Sequence, residues 1–156
     1  MRKNKFLLIV IVLLLMTGCQ SNVQEKNEDR IYKGDTANGV TMDIKEGTLT
    51  NSSTTIIITD NNKETNNYSK NFGLYKKEED KWVLLKMKEG IYTTTLELYR
   101  VEENGKLEME QKWEHSYGKL APGEYKLVKT CFKSDRDSYK EPKDTVSVDF
   151  VIKDNS

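Results

Sequence analysis

The chain carries one histidine, His115, and two cysteines, Cys19 and Cys131, so imidazole and thiol chemistry have few places to occur. One histidine builds neither a tetrahedral zinc site nor a histidine-based triad without ligands from elsewhere. His115 therefore reads as a loop residue capping a turn. Ser116 and Lys119 have a serine-x-x-lysine spacing, but such a serine works from the start of a helix and these residues precede a turn, with no Ser-Asp-Asn after them. Asp60, Asn62 and Glu64, and likewise Asp135 and Asp137, place oxygen ligands at alternate positions. Neither run has the glycine and terminal glutamate of a calcium loop, and solvated turns are the better reading. No catalytic residue, metal ligand or cofactor is assigned, and the chain is not expected to be an enzyme, because no nucleophile and base stand at a recognisable spacing.

Cys19 is different because of what precedes it. Arg2, Lys3 and Lys5 lead into the apolar run Phe6 to Met16, which stops at Thr17-Gly18-Cys19. Eleven apolar residues are short of the roughly 20 that a spanning helix needs, so the run reads as an export signal. Leu15-Met16-Thr17-Gly18-Cys19 resembles the lipobox of bacterial lipoproteins, with Met16 where leucine is usual. That resemblance implies residues 1–18 as a lipoprotein signal peptide, lipid on Cys19, and an extracytoplasmic domain anchored to the bacterial cell membrane.

Loss of three basic residues with the signal leaves 22 basic against 25 acidic residues, a formal balance of −3. No nucleic-acid partner is expected from such a balance. Residues 19–38 are rich in Asn, Glu, Asp and Lys and poor in apolar groups, a composition that reads as a flexible polar tether. Residues 39–153 remain for one domain. Once Cys19 carries lipid, only Cys131 is left in that domain, so it has no internal disulfide.

The domain reads as all-β. Val40, Met42 and Ile44 alternate with polar residues, Ser53 to Thr59 is a β-branched run, and Asn71 to Lys77 and Lys81 to Met87 flank a charged turn. Leu96 to Glu102 and Lys106 to Trp113 flank Asn104-Gly105, a strong hairpin signal. A three-residue loop with Gly105 in a bulge sets Glu102 opposite Lys106, Val101 opposite Leu107 and Tyr99 opposite Met109, so that like faces like. Glu124 to Phe132 and Thr145 to Ile152 complete about eight strands, with nothing that reads as a helix. The stretch from Leu120 through Pro122, Gly123 and Tyr125 reads as a tyrosine corner, with the Tyr125 ring in the core and its hydroxyl bonded to backbone upstream.

Trp113, Tyr117 to Leu120 and Pro122 to Lys129 together resemble the bacterial immunoglobulin-like domain of Gram-positive lipoproteins, over roughly Val40 to Ile152. The resemblance implies a Greek-key immunoglobulin-like β-sandwich without a catalytic signature. In such a sandwich Lys88 to Thr94 should cross between sheets, and residues 61–70, 103–105 and 133–143 should share the pole that the tether enters. Alternation puts Tyr125 and Leu127 on the core face, with aliphatic packing against Ile56 and Ile58 replacing the usual bridge. Val128 and Phe132 then look outward, and with Tyr75 they form a possible partner face. The expected role is to bind a protein, peptide or cell-envelope component; the alternatives are a structural spacer in an envelope complex or an enzyme with an unrecognised site.

Overall fold

The β-branched run of the sequence lies at the centre of one of two antiparallel sheets. In a computed structural model, which describes residues 30–62, 66–91, 97–133 and 144–154, this first sheet has the order β1 (Val40–Ile44), β2 (Ser53–Asp60), β7 (Lys106–Lys112). Met42 pairs with Ile58, and Ile56 and Ile58 pair with Met109 and Leu107, so one face is a continuous aliphatic surface. Residues 1–29, which hold the expected signal peptide, Cys19 and most of the expected tether, lie outside the described residues, as do Glu64 and Asp135 to Asp137.

The second sheet is built on β8 (Gly123–Phe132). One edge of β8 pairs with β9 (Asp144–Ile152) along nine residues. Its other edge pairs with two short strands in succession, β4 (Gly73–Glu78) and β3 (Asn67–Ser69). Beyond them lie β5 (Lys81–Leu84), paired with β4, and β6 (Leu98–Arg100), paired with β3. Tyr68 faces Cys131 and Gly73 faces Val128, so the four residues 69–72 oppose only Lys129 and Thr130. The strand is thus broken by a two-residue bulge.

The two sheets enclose a core in which Ile56, Ile58, Leu74, Trp113 and Leu127 are fully buried. Phe150 stacks between Trp113 and Tyr125 at ring-centroid distances of 5.7 and 5.6 Å. Leu127 shares this core with Ile56 and Ile58. The expected immunoglobulin-like sandwich is the observed architecture, and β1 approaches β9 along one of its sides.

Several local expectations are corrected. Strand β3 has all three residues buried and therefore shows no alternation to read. Glu114–Tyr117 forms one helical turn, α1, closed by Tyr117 N–H to Trp113 O (2.7 Å) and Gly118 N–H to Glu114 O (2.9 Å). A single turn is too short to display a 3.6-residue period. The turn at Asn104-Gly105 closes as expected, with Glu102 N–H bonded to Lys106 O at 2.8 Å and Gly105 at φ 74°. Its arms then part: β6 joins β3 in the second sheet while β7 stays with β2. Strands β5 and β6 lie in the same sheet, not in different ones as the crossing expected at Lys88 to Thr94 requires, and residues 92–94 of that segment lie outside the described residues.

Candidate functional site

Tyr125 is buried, and its hydroxyl donates to the Ala121 carbonyl at 2.8 Å. Leu120 is buried beneath this corner, with its N–H bonded to Asn51 O at 2.8 Å, while Pro122 is exposed and Gly123 opens β8. The indole of Trp113 also donates to Asn51 O, at 2.7 Å. Residue 51 thus joins the β1–β2 connection to both the corner and the end of β7.

The outer face of the second sheet differs from expectation. Val128 does lie on the face opposite Leu127, yet it is only 7 % exposed. Residues 31–37, which composition assigns to the tether, are docked on this sheet. Tyr32 N–H bonds to Trp82 O at 3.1 Å, and Thr36 and Ala37 N–H both bond to Thr145 O, at 3.0 and 3.1 Å. The Tyr32 ring meets Tyr75 edge-on at 5.4 Å, and its hydroxyl contacts Asp35 and Ser147. Burial and the Asp35 carboxylate push that hydroxyl up to about 12. Lys126 extends beneath this segment, paired with Asp149, its Nζ 5.1 Å from the centre of the Tyr32 ring and 4.8 Å from that of Trp82. Tyr75, Val128 and Phe132 therefore do not make a free face: Tyr75 is taken by Tyr32, Val128 is buried, and Phe132 is half-buried beside Asn67. The sequence signal was the pair of aromatic and aliphatic residues Ile31-Tyr32, diluted by the polar residues around it.

Two polar groups are embedded among the apolar ones. Asp60, buried at the end of β2, accepts N–H bonds from the backbone and side chain of Asn62 (3.0 and 2.8 Å) and of Asn66 (3.1 and 2.9 Å), and the Tyr68 hydroxyl at 2.8 Å. Burial works against the carboxylate, but these donors together outweigh it and hold Asp60 below the usual range. Lys129 is fully buried on the core face of β8. Its ammonium donates to the carbonyls of Ser69 and Asn71, the latter at 2.9 Å, and lies 3.4 Å from Met109 Sδ. Those carbonyls belong to the bulge between β3 and β4. Burial lowers Lys129 to about 7.

A cleft of about 290 Å³ opens on the far side of that bulge, between it and the end of β7. Phe72, Met87 and Tyr117 supply its apolar lining, with the Phe72 and Tyr117 rings 6.1 Å apart. Lys70 and Lys112 stand at its charged rim, each exposed and ion-paired with a neighbouring glutamate. Gln111 also lines the cleft. It is 1 % exposed, and neither its Oε1 nor its Nε2 has a hydrogen-bond partner among the described residues. Thr54, its neighbour across the β2–β7 ladder, is equally buried, and its hydroxyl is shared with Thr48 Oγ1 at 3.2 Å.

The family model of the bacterial Ig-like domain matches residues 36–150. The chain belongs to this family. No curated protein and no solved structure matches it. In this Ig-like domain the corner residues and Trp113 meet around Asn51 and Phe150, whereas of the residues read as a partner face Tyr75 is taken by the docked segment, Val128 is buried on the outer face and Phe132 is half-buried. Among the described residues, no group of three His, Cys, Asp or Glu could hold a metal ion. His115 and Ser116 sit on α1, whose Ser116 carbonyl accepts Lys88 N–H at 2.8 Å. Lys129 and Gln111 escaped the sequence reading because a polar residue in an alternating strand is ordinarily assigned to the wet face. Lys129 nonetheless has the parity of Tyr125 and Leu127, and Gln111 that of Leu107 and Met109, which was the available signal.

Proposed function

We propose that the protein is a membrane-anchored extracytoplasmic lipoprotein whose Ig-like domain is a non-catalytic binding module for a protein or cell-envelope component. The observation that carries this reading is the order of parts. A basic, apolar leader ends in Gly18-Cys19 ahead of an Ig-like domain, an order of parts suited to holding a small folded unit at the outer surface of the cell membrane. The fold supports binding more readily than chemistry, because sandwiches of this kind present strand edges and sheet faces on a rigid frame.

Fractionation tests the anchor. Cys19→Ala should move the protein from the membrane to the soluble fraction with its far-UV spectrum unchanged; a variant that stays membrane-bound after leader cleavage overturns the lipid anchor. Binding is tested by placing photo-crosslinking residues across the domain of the lipid-anchored chain in intact cells. A discrete adduct from any surface supports a binding module, and none from every surface overturns it.

A further inference from the structure

Strand β7 is the outer strand of its sheet, paired only with β2 among the described residues. Every second residue of such a strand turns its N–H and C=O away from the ladder, and an edge in this condition is a template for one more strand. The opposite side of the sandwich differs, since there β1 lies close to β9. At the end of β7 is the cleft lined by Phe72, Met87 and Tyr117, to which β7 contributes Glu110, Gln111 and Lys112. A strand added to β7 would direct alternate side chains inward over this cleft, one of them directly beside Gln111, as Thr54 is on the other flank.

Gln111 favours a side chain that both donates and accepts, and a hydroxyl must do both through one oxygen whereas a carboxamide offers two atoms in parallel. A buried carboxamide holds one acceptor oxygen and a two-proton donor, and leaving both unpaired is costly. A carboxylate satisfies the donor and repels the oxygen, and an ammonium does the reverse. An aliphatic group satisfies neither. A second carboxamide donates to Oε1 and accepts from Nε2 at once. We propose that the β7 edge and its cleft bind an extended peptide segment of a partner protein, hydrogen-bonded to β7 through its backbone, with an asparagine or glutamine side chain paired to Gln111. In this mode the main chain supplies affinity and the inward pocket supplies selectivity. The inference rests on the binding-module reading and names its surface and partner class.

The test uses the mature chain with two blocked seven-residue peptides of alternating threonine and valine, identical except for glutamine or leucine at the central inward position. Amide shifts on titration should centre on Glu108 to Lys112, and the glutamine peptide should bind about tenfold tighter. Gln111→Leu should invert the preference, with the leucine peptide then the tighter of the two, an outcome that a purely structural role for Gln111 does not produce. Methylating the peptide amides that face β7 should abolish binding. Equal affinity of the two peptides for the native chain, or a preference that survives Gln111→Leu, overturns the proposal. So do shifts produced at these residues by N-acetylglucosamine instead of peptide, which would assign the cleft to a glycan acetamido group. Crosslinks in cells distinguish the levels: adducts from positions 108 and 110 support the edge, whereas adducts only from other surfaces overturn this site and leave the binding module standing.

Discussion

The ammonium of Lys129 lies 2.9 Å from the carbonyl oxygen of Asn71, inside the sandwich, where it fastens the bulge that separates β3 from β4. Four residues opposite two cannot all join the ladder with β8, so carbonyls of that stretch need another donor. Lys129 reaches the carbonyls of Ser69 and Asn71 from the core side, and Ser69 Oγ accepts Asn71 N–H at 3.0 Å. The same bulge forms one wall of the cleft at Gln111, which makes this buried lysine a fixture of the candidate site.

The buried position of Lys129 gives a pH signature. Its pKa of about 7 in the folded chain lies below the ordinary lysine value of about 10.4, so above pH 7 the unfolded chain binds more protons than the native one. Stability therefore rises with pH from about 7, by at most about 1.4 kcal/mol per unit, a gain increasingly opposed as the unfolded Cys131 thiol approaches half-ionisation near pH 8.5 while burial keeps the folded thiol protonated. Urea midpoints at pH 6, 7, 8 and 8.5 should climb over the upper three. In Lys129→Met, which keeps the stem and removes the charge, that climb should disappear; a persistent climb assigns it to another group.

Asp60 has the opposite sign. Its carboxyl is held below the usual range, so its contribution is present above about pH 4 and is lost as the pH falls through the lowered folded value. Asp60→Asn keeps the shape, but one of its two terminal atoms becomes a donor that faces existing donors from Asn62 or from Asn66 and Tyr68. A loss of about 1–3 kcal/mol is expected at pH 7, with a smaller difference from the native chain in acid, read from denaturant melts at pH 7 and pH 3.

Val128→Glu tests the covered face. Were this face open, a charge at Val128 would be tolerated; with Val128 almost wholly buried, the carboxylate must be desolvated or must break the packing above it. A drop of more than about 2 kcal/mol is expected from urea melts. Tyr32→Ala should loosen the docked segment at lower cost, read as faster amide exchange at Thr36 and Ala37, whose N–H groups bond to Thr145 O. An unchanged melt for Val128→Glu would mean that the segment leaves the sheet readily.

Strand parity was legible along β1, β2, β7 and β9, which alternate between a buried and a wetter face, but only in part along β8, where residues 125–129 are buried on both faces. The corner at Tyr125 was legible too, since proline, glycine and tyrosine each have a specific backbone task there. What failed was every feature that depends on a neighbour in space. Sequence alternation places Val128 opposite Leu127 but does not say that Ile31 and Tyr32 return to that face. It does not distinguish a wet lysine from Lys129, whose partners are carbonyls 58 and 60 residues away. The turn at Asn104-Gly105 fixes only Glu102 against Lys106; the sheet that β6 joins is decided by three pairs with β3.

Tyr125→Phe isolates the hydrogen bond of the corner from its packing. The ring stacks on Phe150 at 5.6 Å and this contact survives the substitution, so only the 2.8 Å bond to Ala121 O is lost. A typical intramolecular bond contributes about 0.5–1.5 kcal/mol net, with the penalty rising when the abandoned partner is sealed from water. Ala121 is exposed, so its carbonyl can turn to solvent and the cost should fall at the low end, about 0.5–1 kcal/mol. Tyr125→Ala removes the ring as well and opens a hole beside Phe150 and Trp113, for which about 3–5 kcal/mol is expected. Urea melts of the three proteins at pH 7 separate the two contributions: a phenylalanine variant as damaged as the alanine variant would place the corner's strength in the hydroxyl, and a phenylalanine variant identical to the native chain would leave all of it in the stack.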